Sequence, residues 1–222
     1  RKQLHRWQRH LRSSGGVSVR AAFHRDVVEP LLGTMVIMCS DACFGDEDLS
    51  AIGGFCHGYF WYFPVPPQDY DVVNTPLLEF LGVVFNIIVF QDVAEGLCRG
   101  QGSLLQRTDA LTAALTLPRE SQRSPLLVDA YQLLRRTTAW KKLSRRLKIV
   151  HLFGDCNAFS DRISRAKWAG FLALCKALRI KPIRIPVPAQ ASQIYAQVVL
   201  LERARRLRRL QQASADPAAR GG

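Results

Sequence analysis

Four acidic residues sit where an ionised side chain is hardest to place, and they constrain this chain more than any other feature. Asp41 ends the apolar run Met35-Val36-Ile37-Met38-Cys39. Glu79 interrupts Leu77-Leu78-Glu79-Phe80-Leu81. Asp109 follows Ser103-Leu104-Leu105-Gln106-Arg107-Thr108, and Asp161 follows Phe159-Ser160 just inside a predicted helix start. Carboxylates are rarely buried unless paired or bound to metal. Four that converge cannot all stay ionised without cations between them. The set points to a divalent-metal site. Taken singly, each has a plainer reading. Asp41 and Asp109 can cap the segments after them, and Asp161 can be a surface helix acid beside Arg162.

The chain has 222 residues, enough for one sizeable domain with extensions. Its net charge of +13 is unevenly placed: +5 over residues 1–30, −3 over 31–161 and +11 over 162–222. An acidic-centred middle between basic ends suits a metal site serving a polyanion. Two solvated basic tails give the same pattern. No charge-free apolar run reaches the ~18 residues of a spanning helix. The nearest, Phe80 to Gln91, reads as a buried helix, so no membrane role is expected. No signal peptide is visible, and the chain begins at Arg1 rather than Met. The expectation is an intracellular, non-secreted piece of a longer polypeptide. The six cysteines include no CxxC pair, and several lie in apolar segments. They read as buried free thiols, not as a disulfide framework or a zinc site.

Thr34 to Ser40 is strand-like, and a polar loop is expected from Asp41 to Ser50. Ala51 to His57 and Tyr59 to Val65 read as a hairpin, antiparallel to the first strand. Trp61 and its aromatic neighbours are expected in strand core or on strand surface, with base stacking as the alternative. Asn74 or Thr75 caps a helix with Pro76 in its first turn, running to about Gly96. Ser103 to Thr108 is a fourth strand, and a short helix follows from Asp109 to Leu117. Ser124-Pro125 opens a helix through about Arg146. Leu147 to Leu152 is a fifth strand, Gly154 to Asn157 a turn, and Asn157 a cap for the helix carrying Asp161. Trp168 to Leu178 is helical, and the proline-rich segment 181–188 is extended. A long basic helix is expected from Ser192 to Gln212. If strands one and four are parallel neighbours, Asp41 and Asp109 share the carboxyl edge of the sheet, where open α/β sheets bind ligands. Four oxygen donors favour hard cations, Mg²⁺ or Mn²⁺.

These segments resemble the ribonuclease H domain of retroelement reverse transcriptases. Ser40-Asp41-Ala42 is similar to that family's first-strand "SDA". Thr75-Pro76-Leu77-Leu78-Glu79-Phe80-Leu81-Gly82 is similar to its "LELLA" helix, and Arg107-Thr108-Asp109-Ala110-Leu111-Thr112-Ala113-Ala114 to its "SDNTAAV" element. Ser124-Pro125-Leu126-Leu127 resembles "SP.L". The segment from Val150 to Arg165, containing Asn157, Asp161, Ser164 and Arg165, closely resembles "HIPG..N..AD.LSR". The resemblance covers about residues 34–165. It implies an α/β, ribonuclease H-like domain with a five-stranded mixed sheet in the order β-β-β-α-β-α-α-β-α and helices on both faces. Residues 1–33 are then a linker or N-terminal extension. Residues 166–222 are a basic C-terminal extension whose last ten or so residues are expected to be disordered.

The resemblance also implies that Asp41, Glu79, Asp109 and Asp161 bind two Mg²⁺ ions, replaceable by Mn²⁺, and cleave the RNA strand of an RNA–DNA hybrid. The reverse transcriptase domain of the same polypeptide is the implied partner. Lys141, Lys142, Arg145, Arg146, Asn157 and Arg162 are the candidate nucleic-acid contacts. The chain departs from the family at Cys43 to Asp48, where a glycine-rich stretch is replaced, at Gly82, and at Phe153, where proline is the norm. The loop histidine of many cellular ribonucleases H is missing, and His151 falls on a strand instead. These departures keep two other classes open: an inactive nucleic-acid-binding module, and a DNA-cutting nuclease or transposase of the same fold.

Overall fold

A computed structural model describes residues 35–46, 49–98, 102–117, 124–152 and 157–215. The expectations for residues 1–33, for the Gly154–Cys156 turn and for the last seven residues lie outside these. The fold is α/β, built on one mixed sheet of β1 (Met35–Asp46), β2 (Leu49–Cys56), β3 (Tyr59–Pro64), β4 (Ser103–Thr108), β5 (Leu147–His151) and β6 (Ile183–Arg184). Its strand order is β5-β4-β1-β2-β3-β6. β1 pairs antiparallel with β2, and β2 with β3, while β4 runs parallel to both β1 and β5.

Two expectations about strands are corrected. Among the described residues the sheet has six strands, because Ile183–Arg184 pairs in parallel with Tyr59 and Phe60. The prolines around it hold the backbone extended, and an edge strand tolerates their missing N–H groups. β1 also continues past Ser40 to Asp46, paired with β2, where a loop was expected. Asp41 is therefore internal to its strand.

Alternation along β1 divides the core. Val36 and Met38 point into the larger cluster, and Ile37 and Cys39 into the smaller one on the opposite face. The larger cluster is covered by α1 (Thr75–Val89), α2 (Gln91–Cys98), α3 (Leu111–Thr116), α4 (Pro125–Arg135), α5 (Thr138–Leu143) and α8 (Ala189–Ala215). The smaller is covered by α6 (Ala158–Ser164) and α7 (Trp168–Ala177).

Asn74 caps α1 as expected, accepting from the Leu77 N–H at 3.0 Å. The single helix expected to Gly96 is two helices, bent by 57° at Phe90. Up to Phe90 nearly every residue of α1 is buried between sheet and outer helices, whereas α2 buries only Ala94 and Cys98. The bend takes the chain from core to surface. The helix expected from Ser124 to Arg146 also breaks, at Thr137, whose hydroxyl accepts from the Trp140 N–H and so caps α5. Among the described residues no single helix is long and apolar enough to cross a membrane. The five described cysteines are buried free thiols.

Residues 166–215 are not a detached extension. α8 places Ile194, Tyr195, Val198 and Val199 in the main cluster. The Tyr195 hydroxyl donates to Asp69 Oδ2 at 2.9 Å, and Arg203 Nη2 donates to Asp69 Oδ1 at 2.8 Å. Arg205 pairs with Asp129 on α4.

Candidate functional site

The parallel β1–β4 ladder ends at Ser40 opposite Thr108. Asp41 and Asp109 are the next residue on each strand. β4 stops there while β1 runs on, so Asp41 still lies at the carboxyl edge of the parallel strands. Asp41 points to the α6 face, where the Ser164 hydroxyl donates to its Oδ2. Burial is the main force on its carboxyl, raising it to about 8, and the neighbouring Asp109 and Asp161 push the same way. The Ser164 hydroxyl and Arg165 pull it back in part.

Asp109 does not cap α3. The cap position is Ala110, with no side-chain bond, and the Thr108 hydroxyl accepts from the Ala110 N–H. The Asp109 carboxyl is raised chiefly by burial, with Asp161 adding to the shift. Its own backbone N–H, a hydrogen bond shared with Asp41, and the nearby His151 oppose it. Its Oδ1 is buried with no hydrogen-bond partner. Glu79 projects from the first turns of α1, half-buried. Burial and then Asp109 raise its carboxyl to about 7. One turn on, Gly82 explains its own presence. A Cβ there would lie 3.2 Å from both Ile52 Cγ2 and Ser40 Cβ, so its absence lets α1 seat on β1 and β2.

Asp161 reaches the cluster from α6. Asn157 was expected to cap that helix, but its side chain makes no cap bond. Its buried amide instead donates to the Ser40 carbonyl at 2.9 Å, fastening the start of α6 to β1. That inward turn makes it a joint between elements, not a surface contact. The Arg165 Nε–H donates to Asp161 Oδ1 at 2.8 Å, four residues along.

Sequence reasoning missed what holds Ser40. Trp61 Nε1 donates to Asn86 Oδ1 at 2.8 Å, Asn86 Nδ2 to Gln106 Oε1 at 2.9 Å, and Gln106 Nε2 to Ser40 Oγ at 2.9 Å. This fully buried chain crosses the sheet beneath α1. Its sequence signal is faint: Asn86 and Gln106 are polar residues inside apolar segments. Trp61 is strand core, as expected.

Four of the basic candidates lie elsewhere. Arg145 and Arg146 precede β5, and Lys141 and Lys142 end α5. The carboxylates sit at the far end of β5, roughly 13 Å along an extended strand. Lys142 pairs with Glu95 at 3.3 Å. Arg162 Nη1 donates to the Ala158 carbonyl of its own helix.

No family model matches the chain, and no curated protein matches it significantly.

Among the described residues, no three His, Cys, Asp or Glu side chains are arranged to hold a metal ion as they stand. The donor set nonetheless fits one. Two raised carboxyls flank Asp109, which has an orphaned buried oxygen, and all the groups are hard oxygen donors. Neighbouring carboxylates that raise one another repel until a cation or a proton separates them.

Proposed function

We propose that the chain is a metal-dependent endonuclease of the ribonuclease H type, cutting the RNA strand of RNA–DNA hybrids within a retroelement polypeptide that also carries a reverse transcriptase. The observation that carries this reading is Asp109. Its buried, unpartnered Oδ1 lies among Asp41, Glu79 and Asp161, and its charge raises the carboxyls of Asp41 and Glu79. Such an arrangement is unfavourable in a purely structural protein, and residues that perturb one another's protonation cluster at functional sites.

Asp41, Glu79, Asp109 and Asp161 would hold divalent cations, Mg²⁺ by donor type. When bound there, the cations supply water activation and stabilisation of the leaving phosphodiester oxygen. The chain's own residues set the geometry. Ser164 fixes the orientation of Asp41, and Asn157 ties α6 to Ser40 beside it. Gly82 lets α1 hold Glu79 over the edge. His151, at the end of β5 opposite Thr108, sets a positive charge near Asp109 when protonated. Recognition of RNA would rest on 2′-hydroxyl contacts in the minor groove.

The test is cleavage of a labelled RNA–DNA hybrid with Mg²⁺ by the parent and by Asp109→Asn. Equal cleavage by both rejects the reading. Salt-sensitive hybrid binding without cleavage by either would leave a binding module, and preference for duplex DNA a different nuclease of this fold.

A further inference from the structure

Two consecutive residues at the end of α6 each hold one of the converging carboxylates. The Ser164 hydroxyl donates to Asp41 Oδ2 and also approaches the Asp161 carbonyl at 3.1 Å. The Arg165 Nε–H donates to Asp161 Oδ1 at 2.8 Å, and its Nη1 lies 3.8 Å from Cys43 Sγ, two residues along β1 from Asp41. The Arg165 charge also reaches Asp41. The cluster thus already contains one cation, and it belongs to the protein. That guanidinium is 34% exposed and its carboxylate 40% exposed, so the pair is open to exchange with solvent and solutes.

We infer that Arg165 is a resident cation of the carboxylate cluster, which holds Asp161 in the metal-free protein and competes with a divalent ion for it. The inference rests on the proposed function, since it takes these carboxylates as metal ligands. Its physical basis is competition for one carboxylate: Asp161 Oδ1 already accepts a charge-assisted bond from Arg165 at 2.8 Å, and a metal ion drawing on the same carboxylate weakens that bond. A positive charge kept within the cluster also repels a further divalent ion. The cation position that uses Asp161 is therefore the weaker one and fills last. Lys cannot reproduce the planar guanidinium bond, but it retains the charge.

The experiment is a Mn²⁺ titration of the full chain at fixed pH, read by the electron paramagnetic resonance signal of free Mn²⁺. It compares the parent with Arg165→Gln, Arg165→Lys, Asp161→Asn and the Arg165→Gln/Asp161→Asn pair. Arg165→Gln should bind its last Mn²⁺ about fivefold more tightly than the parent, the scale of an exposed ion pair. Arg165→Lys should lie between them. In the Asp161→Asn background the effect of Arg165→Gln should shrink toward none, as coupling through one carboxylate requires. If the parent binds Mn²⁺ and Arg165→Gln binds it equally or more weakly, the inference is overturned while the metal site stands. If neither binds Mn²⁺ at millimolar concentration, the proposed function fails and the inference with it. Binding by Arg165→Gln alone supports the inference in its strongest form.

Discussion

Gly53 faces Asp41 across the β1–β2 ladder, and the space its side chain would fill is taken by α6. A Cβ at Gly53 would come within 2.6 Å of Ile163 Cγ2 and 2.8 Å of the Ser164 backbone nitrogen. The backbone atom cannot yield without moving the helix, and Ser164 is the residue that donates to Asp41. Gly53→Ala is expected to destabilise the protein by about 1–3 kcal/mol, an overpacking cost. It should lower hybrid cleavage as well, by shifting Ser164. Gly96→Ala is the control: it lies in α2 with nothing within 4 Å of a new Cβ. That change should stabilise by up to ~1 kcal/mol through helix propensity. Denaturant unfolding of both variants checks the pair, and a neutral Gly53→Ala would remove the packing account.

Stability of the metal-free protein should fall as pH rises. Asp41 and Glu79 hold their protons to about 8 and about 7 in the fold, against 3.8 and 4.5 unfolded. The folded state then binds more protons between those limits. Its advantage is complete below about pH 4 and is lost as pH climbs through 7 to 8. At ~1.4 kcal/mol per pH unit, Asp41 contributes on the order of 5 kcal/mol, and half-exposed Glu79 adds less because solvent screens it. Urea midpoints from pH 4 to 9 measure it. Asp41→Asn should flatten the curve, and Mg²⁺ should stabilise at pH 8.5 but not at pH 4.5. A flat parent curve would show that the carboxylates do not strain one another.

Asp109→Asn separates function from stability. The change keeps shape and removes the charge that raises both Asp41 and Glu79. Hybrid cleavage should fall by at least ~100-fold while the metal-free protein at pH 8 gains about 1 kcal/mol, the trade-off expected of a functional site. A structural Asp109 would instead lose stability on substitution.

The buried chain from Trp61 to Ser40 makes a prediction of its own. Gln106→Leu leaves the Asn86 amide and the Ser40 hydroxyl without their partner. Each orphaned buried group costs about 1–3 kcal/mol, so the variant should lose ~2–5 kcal/mol. Thermal unfolding checks this. A loss below 1 kcal/mol would mean that water replaces the missing amide.

How much of this was legible from residues differs by element. The capped start of α1 follows from local pattern, and the placement of Asp41 beside Asp109 was conditional on a parallel pairing of β1 with β4 that the structure supplies. The length of β1 did not follow from local pattern, because polar residues after Asp41 mark a loop in isolation, whereas pairing with β2 carries the strand to Asp46. The helix break at Phe90 was hidden because it follows from tertiary packing, whereas the break at Thr137 carries a local cap from its own hydroxyl to the Trp140 N–H that the apolar pattern across it masked. Asn157 read as a cap because caps are local. Its partner, the Ser40 carbonyl, is 117 residues away. Arg165 entered only as part of the motif, and its bond to Asp161 was not foreseen. Whether a side chain meets Asp161 or water depends on where α6 ends.

The C-terminal helix was misjudged in kind, and the last prediction follows from that. Composition alone shows arginines in its second half, so a solvated tail was a fair reading. Yet its first half buries Ala191, Ile194, Tyr195, Val198 and Val199 against α1 and α4. Asp69, itself buried, relies on Tyr195 and Arg203 for both of its side-chain oxygens. Ending the chain at Pro188 would expose the facing core and remove both side-chain partners of Asp69. Four large apolar side chains at roughly 1.5–3 kcal/mol each exceed ~5 kcal/mol, comparable to the whole stability of a domain. The shortened chain should therefore lose its cooperative thermal transition. Ending it instead after Gln212 should leave the transition within a few degrees of the parent's. A chain ending at Pro188 that unfolds at the parent's temperature would make α8 an appendage after all.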